Sequence, residues 1–200
     1  MADISVEEIK RLKDLTGVGL TEAKRALVDS NGDFDKALEE MRKKGLTRAE
    51  KRGEREAREG LVEAYVHGGR VGVLVELNCE TDFVARTDEF KTLAHDLALH
   101  IAAMNPAYVS ADSIPAAERE RKAAEFTEKV QGEGKSGDMV PKIVEGMVKK
   151  HFGELCLLEQ PFVKDQNKTV NDVIKEVIAK LGENIVVGQM ARIELGVVSA

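Results

Sequence analysis

Four groups of residues in this chain are candidates for a functional site. Gly132, Gly134 and Gly137 spell G-x-G-x-x-G, and Gly134-Lys135-Ser136 looks like the end of a phosphate-binding loop. That chemistry needs a strand before the glycines and a helix after them, so that free backbone amides face the phosphate. Here the preceding segment patterns as a helix, and the full loop spacing would need glycine where Lys129 stands. A connector between two helices is the better reading. Of the histidines, His67 lies in a strand-turn region, His95 and His100 are five apart, and His151 stands alone. Two ligands on one helical face would be three or four apart. Cys79 and Cys156 fit neither a metal-site spacing nor a disulfide framework and read as free thiols. No Ser or Cys has a nucleophile context such as G-x-S-x-G. Covalent catalysis, a bound metal and a cofactor are therefore not expected.

The fourth group is ELNCETDFVARTDEF, Glu76 to Phe90. A strand ends near Cys79, a helix begins near Thr87 or Asp88, and a polar Glu-Thr-Asp triplet between them runs into Phe83 and Val84. Phe83 either anchors the loop in the core, the commoner fate of a loop aromatic, or stands exposed beside Asp82 as a wedge for a partner. Residue types alone leave both open.

The elements that must carry this loop follow from periodicity. Ser5 and Glu8 form a capping box ahead of Val6, Ile9, Leu12 and Leu15 at helical spacing. Thr16 to Gly19 (TGVG) breaks that helix. A second starts near Thr21, and a third carries Phe34, Ala37, Leu38 and Met41, with Gly45 placed as its C-terminal cap. Residues 42–58 hold eight basic and three acidic side chains and little apolar periodicity, which reads as a solvated linker rather than a phosphate-tracking segment. From Gly60 the period changes. Leu61 to His67 and Val71 to Cys79 alternate around Gly68-Gly69, an antiparallel hairpin signal. A helix over Asp88 to Met104 stops at Asn105-Pro106, a short extended piece covers Ala107 to Val109, and helices are expected over Ala116 to Val130 and Asp138 to Phe152. Glu154 to Leu158 reads as a strand. Thr169 and Asp172 cap a helix ending at Gly182, and Ile185 to Leu195 closes the chain as a strand. Helices and strands without regular βαβ alternation point to an α+β fold. The expected divisions are a three-helix bundle over 1–45, a charged linker over 46–59, and an α+β core over 60–200.

Composition narrows the partners. With 42% hydrophobic residues the chain can bury a core, yet only 4% are aromatic, too few for base-stacking platforms. Residues 1–60 carry 14 basic and 14 acidic side chains, whereas 61–200 carry 16 and 22, so the net charge of −6 lies wholly in the C-terminal portion. Nucleic-acid binding would favour the opposite sign, so a protein is the expected direct partner and no direct nucleic acid is. No apolar run approaches the ~20 residues that span a bilayer, and MADISVEEIK does not resemble a secretory signal. A cytoplasmic protein without membrane contact is expected.

The run Thr81-Asp82-Phe83-Val84-Ala85-Arg86 closely resembles the T-D-F-V-A-[KR] hallmark of the elongation factor Ts family, and the similarity extends over nearly the whole chain. K-x-L-[KR]-x-x-T-G-x-G matches residues 10–19. NGDFDKAL (Asn31 to Leu38), LALHIAAMNP (Leu97 to Pro106), VEGMVKK (Val144 to Lys150) and EQPFVKD (Glu159 to Asp165) match in order. The resemblance implies a nucleotide exchange factor, without covalent chemistry, for elongation factor Tu. Its bundle, similar to a ubiquitin-associated domain, would dock on Tu, with Val18 and Leu20 as contacts. Thr81, Asp82, Phe83 and Val84 would form the tip, where Phe83 inserts between Tu helices, disturbs the Mg²⁺ and phosphate region, and lets GDP leave. Longer members of the family carry a duplicated core and an inserted coiled-coil hairpin, whereas 60–200 shows no internal repeat. The implied consequence is a homodimer that pairs through the sheets.

Overall fold

The computed structural model describes residues 4–137 and 139–197. Three helices, α1 (Val6–Thr16), α2 (Leu20–Asp29) and α3 (Phe34–Arg52), open the chain. The capping box forms as the sequence predicts, with Ser5 Oγ accepting from the Glu8 amide at 3.1 Å and the Glu8 carboxylate accepting from the Ser5 amide at 3.2 Å. Ile9, Leu12, Ala23, Ala26, Leu27, Ala37 and Met41 make the small core of this bundle.

The second unit is built on a three-stranded antiparallel sheet, β1 (Glu59–His67), β2 (Val71–Cys79) and β5 (Ile185–Glu194), ordered β1-β2-β5. Gly68 and Gly69 take φ of 55° and 68° in the hairpin turn, where side chains are poorly tolerated. One face of the sheet is buried through Val73, Val75, Leu77, Cys79, Ile185 and Val187. It packs on α5 (Asp88–Met104) and α8 (Val170–Leu181), which contribute Phe90, Leu93, Leu97, Ile101, Ile174 and Ile178. This two-layer arrangement is the expected α+β fold. Between β2 and α5 lies a single helical turn, α4 (Asp82–Ala85).

α6 (Ala116–Gly132) and α7 (Met139–Leu155) pack side by side along a separate seam that includes Phe126, Val130, Val140 and Val144. The G-x-G-x-x-G run sits at the end of α6 and in the turn after it, so the connector reading holds. Asp138, the expected start of the second helix of this pair, lies outside the described residues.

Three expectations are corrected. The third helix does not stop at Gly45 but runs to Arg52, through much of the charged stretch. Its inward stripe is made of small residues, Gly45 and Ala49, that apolar periodicity does not register. A Cβ on Gly45 would lie 3.1 Å from Ala179 Cβ, so glycine lets α3 lie close against α8. Arg52 donates to the Ile178 carbonyl at 3.3 Å, and Lys175 pairs with Glu50 at 3.0 Å. The segment before Gly53 is thus docked on the core rather than free. Second, the strand over 154–158 is absent: α7 continues to Leu155, and a single parallel bridge joins Cys156 to Tyr108, followed by a 3₁₀ turn at Leu157–Glu159. Third, a small hairpin, β3 (Pro161–Phe162) with β4 (Asp165–Thr169), occupies a stretch without strand periodicity. It is held by a buried histidine. His100 Nε2 lies 2.9 Å from Gln160 Oε1, and the Val163 amide donates to His100 Nδ1 at 3.2 Å.

Candidate functional site

The sequence around residue 81 places an acceptor-rich turn after a buried strand, and the folded chain braces it from two distant segments. Glu80 and Thr81 follow Cys79, whose buried thiol donates to the Thr81 carbonyl at 3.1 Å. Burial, reinforced by the charge of Glu183, pushes that thiol's pKa up, so Cys79 stays protonated and acts as packing. The Glu183 carboxylate accepts from the Thr81 amide at 2.9 Å and from its hydroxyl at 2.7 Å. In return, Glu80 accepts from the Asn184 amide at 2.7 Å. The buried Asn184 side chain donates to the Arg55 carbonyl at 2.6 Å, which ties in the chain leaving α3.

The turn itself divides its side chains by solvent. Val84 and Ala85 enter the main core, while Phe83 is 79% exposed. Thr87 stops α4 and starts α5 with one hydroxyl, which donates to the Val84 carbonyl at 2.8 Å and accepts from the Phe90 amide at 3.3 Å. Arg86 donates to Asp82 at 2.7 Å, one i,i+4 pair on the outer side of the turn. Phe83 does not anchor the loop in the core: Val84 takes that place, and the Phe83 ring stands in solvent.

The other expected contact, the loop between α1 and α2, shares a support with this turn. Gly17 has φ 68° and lies so close to the last turn of α8 that a Cβ there would sit 2.6 Å from Lys180 Cα. Lys180 Nζ pairs with Glu89, in the first turn of α5, at 2.5 Å. Leu20 is half exposed at the start of α2, whereas Val18 is partly buried against the bundle core. The end of α8 thus carries both regions, the loop on Lys180 and the Phe83 turn on Glu183. Sequence reasoning missed Glu183 and Asn184. The available signal is a polar Glu-Asn pair directly after the Gly182 cap and before an apolar strand.

Each of the other histidines has a neighbour within the fold. His67 bonds the Tyr65 hydroxyl at 2.8 Å, His95 bonds Glu63 at 2.9 Å, and His151 meets Phe126 and Phe152 edge-on at 5.8 and 5.1 Å. Among the described residues, no group of three or more His, Cys, Asp or Glu is placed to hold a metal ion, and no helix is long and apolar enough to cross a membrane.

The described residues thus form a helical bundle seated on an α+β core that lifts one phenylalanine into solvent on a braced turn. A family model described as Elongation factor TS matches residues 35–197. Elongation factor Ts of Herpetosiphon aurantiacus is 50% identical over 194 residues, 96% of this chain and 98% of that protein. Those of Fervidobacterium nodosum (47% over 195 residues; 97% and 99%) and Carboxydothermus hydrogenoformans (50% over 194 residues; 96% and 89%) are similar to the same extent. The chain belongs to the elongation factor Ts family and is a translation elongation factor.

Proposed function

We propose that this chain is a guanine-nucleotide exchange factor that binds elongation factor Tu in its GDP state, displaces Mg²⁺ and promotes GDP release so that GTP can bind. The observation that carries the reading is the Phe83 ring, presented to solvent by a turn whose next two residues are buried. Inserting an aromatic ring into a partner contributes roughly 1.5–3 kcal/mol through burial, and each 1.4 kcal/mol is about tenfold in an equilibrium constant. In this reading Phe83 is the wedge, Asp82 makes polar contacts beside it, and Thr81 and Val84 fix the turn. Val18 and Leu20 belong to the docking surface of the bundle, with Leu20 the more accessible. The protein does no covalent chemistry and acts in the cytoplasm, where its partner works.

The partner set includes a second copy of this chain. Val62, Val66, Leu74, Val186 and Ile193 stand exposed on the sheet. Ala64 and Ala191 flank Leu74 across the strands. An apolar patch of this kind, bordered by Glu76 opposite Val62, suits self-pairing about a two-fold axis.

Coupling of two ligands is reciprocal. The intact chain is expected to accelerate release of a fluorescent GDP analogue from Tu, and GDP should weaken its affinity for Tu by the factor by which it weakens GDP. An unchanged release rate at saturating chain would refute the exchange reading.

A further inference from the structure

The turns at 80–81 and 183–184 hold each other through crossed carboxylates. Glu183 takes the backbone and side-chain donors of Thr81, and Glu80 takes the backbone donor of Asn184. Each acid thus serves the turn opposite its own, a two-point closure that resists both sliding and twisting. Thr81 is the residue immediately before α4, and its side chain makes no capping bond to that helix. Its hydroxyl is committed to Glu183 instead. Because Ala85 donates back to the Thr81 carbonyl at 3.3 Å, Thr81 sets where α4 begins and hence where Phe83 points. The ring has no core contact to orient it, so its direction rests on this backbone.

We propose that Glu183 is a positioning residue for Phe83, acting through Thr81, with Glu80 and Asn184 closing the clamp from the other side. The proposal rests on the exchange reading for its functional consequence but not for its geometry. A loosened turn must be ordered when the ring inserts, so that ordering cost falls on the step that displaces nucleotide rather than on first docking by the bundle. Charge-assisted bonds of this kind are among the stronger ones.

Two measurements test it. In GDP release from Tu, Glu183→Ala is expected to lower the saturating rate about tenfold and leave the KM for Tu within about twofold. Glu183→Gln keeps an acceptor for the Thr81 amide and can donate to its hydroxyl, so it should restore most of the rate. In the free protein, amide hydrogen exchange over 81–85 should quicken in Glu183→Ala and stay as in wild type in Phe83→Ala. A wild-type rate in Glu183→Ala, or an equal loss in the Gln variant, overturns the positioning role. If wild type itself fails to release GDP, the exchange reading fails, and the amide exchange still decides the clamp: unchanged protection over 81–85 overturns it.

Discussion

Phe83 and Phe90 lie seven residues apart in one continuous stretch, yet one is 79% exposed and the other fully buried. The turn that carries Phe83 is anchored by Val84 and Ala85 and braced by polar groups: Glu183 accepts from the Thr81 amide, the Asn184 amide donates to Glu80, and the Thr87 hydroxyl donates to the Val84 carbonyl. The helix that carries Phe90 is held from inside, by apolar packing on the sheet and α8 and by one neutral polar network at His100. The contrast separates two uses of an aromatic ring. In the core it supplies stability; on the turn the stability is supplied by other groups, and the ring stays in solvent. Substitutions should therefore divide into those that cost folding and those that cost only contact.

The largest expected loss of stability is at Phe90→Ala, about 3–5 kcal/mol, or a fall in melting temperature of roughly 10 °C by calorimetry. A fall of only a degree or two would erase the contrast. Gly17→Ala should cost about 2 kcal/mol, since it forces a side chain into a left-handed backbone and against Lys180. Chemical denaturation measures it, and an unchanged midpoint would show that the loop is not seated on α8.

Acidification probes the inner network. Burial holds the His100 pKa below the ordinary imidazole value, with the Gln160 bond opposing in part. Both ring nitrogens are satisfied in the neutral form, Nε2–H donating to Gln160 and Nδ1 accepting from Val163. The unfolded chain therefore binds the proton more readily. This contribution is complete above the unfolded value, about 6.5, and is lost as pH falls from there through the lower folded value. Melting temperature should drop between pH 7 and pH 5, and less so in His100→Gln, which is already less stable at pH 7. An identical pH profile in the variant would contradict the assignment.

The smallest stability change, within about 0.5 kcal/mol, is expected at Leu74→Glu on the outer sheet face. Sedimentation should nevertheless show a shift from dimer to monomer at micromolar concentration. A wild type that is already monomeric removes the self-pairing proposal.

Much of this division was legible beforehand, and for identifiable reasons. The caps at Ser5, Thr169 and Gly182, the Gly68-Gly69 turn and the α5 stripe rest on local chemistry, and the structure places them where the residues say. The end of α3 was not legible, because its buried stripe is Gly45 and Ala49, residues that signal packing only once α8 is known to lie opposite. The β3–β4 hairpin was hidden for a related reason. Its order comes from His100, some sixty residues earlier. Within the candidate site, Asp82 and Phe83 could be singled out as residues, but not the outward direction of the ring. That depends on Glu183 and Asn184, about a hundred residues later in the chain.

In the exchange reading Phe83 serves contact and not folding. The most direct test is the saturating rate at which Phe83→Ala releases a fluorescent GDP analogue from elongation factor Tu, with the melting temperature of the same preparation. The expected result is a loss of more than about tenfold in rate, from the burial free energy of the ring, at a melting temperature close to that of wild type. A variant that exchanges nucleotide at the wild-type rate would contradict it.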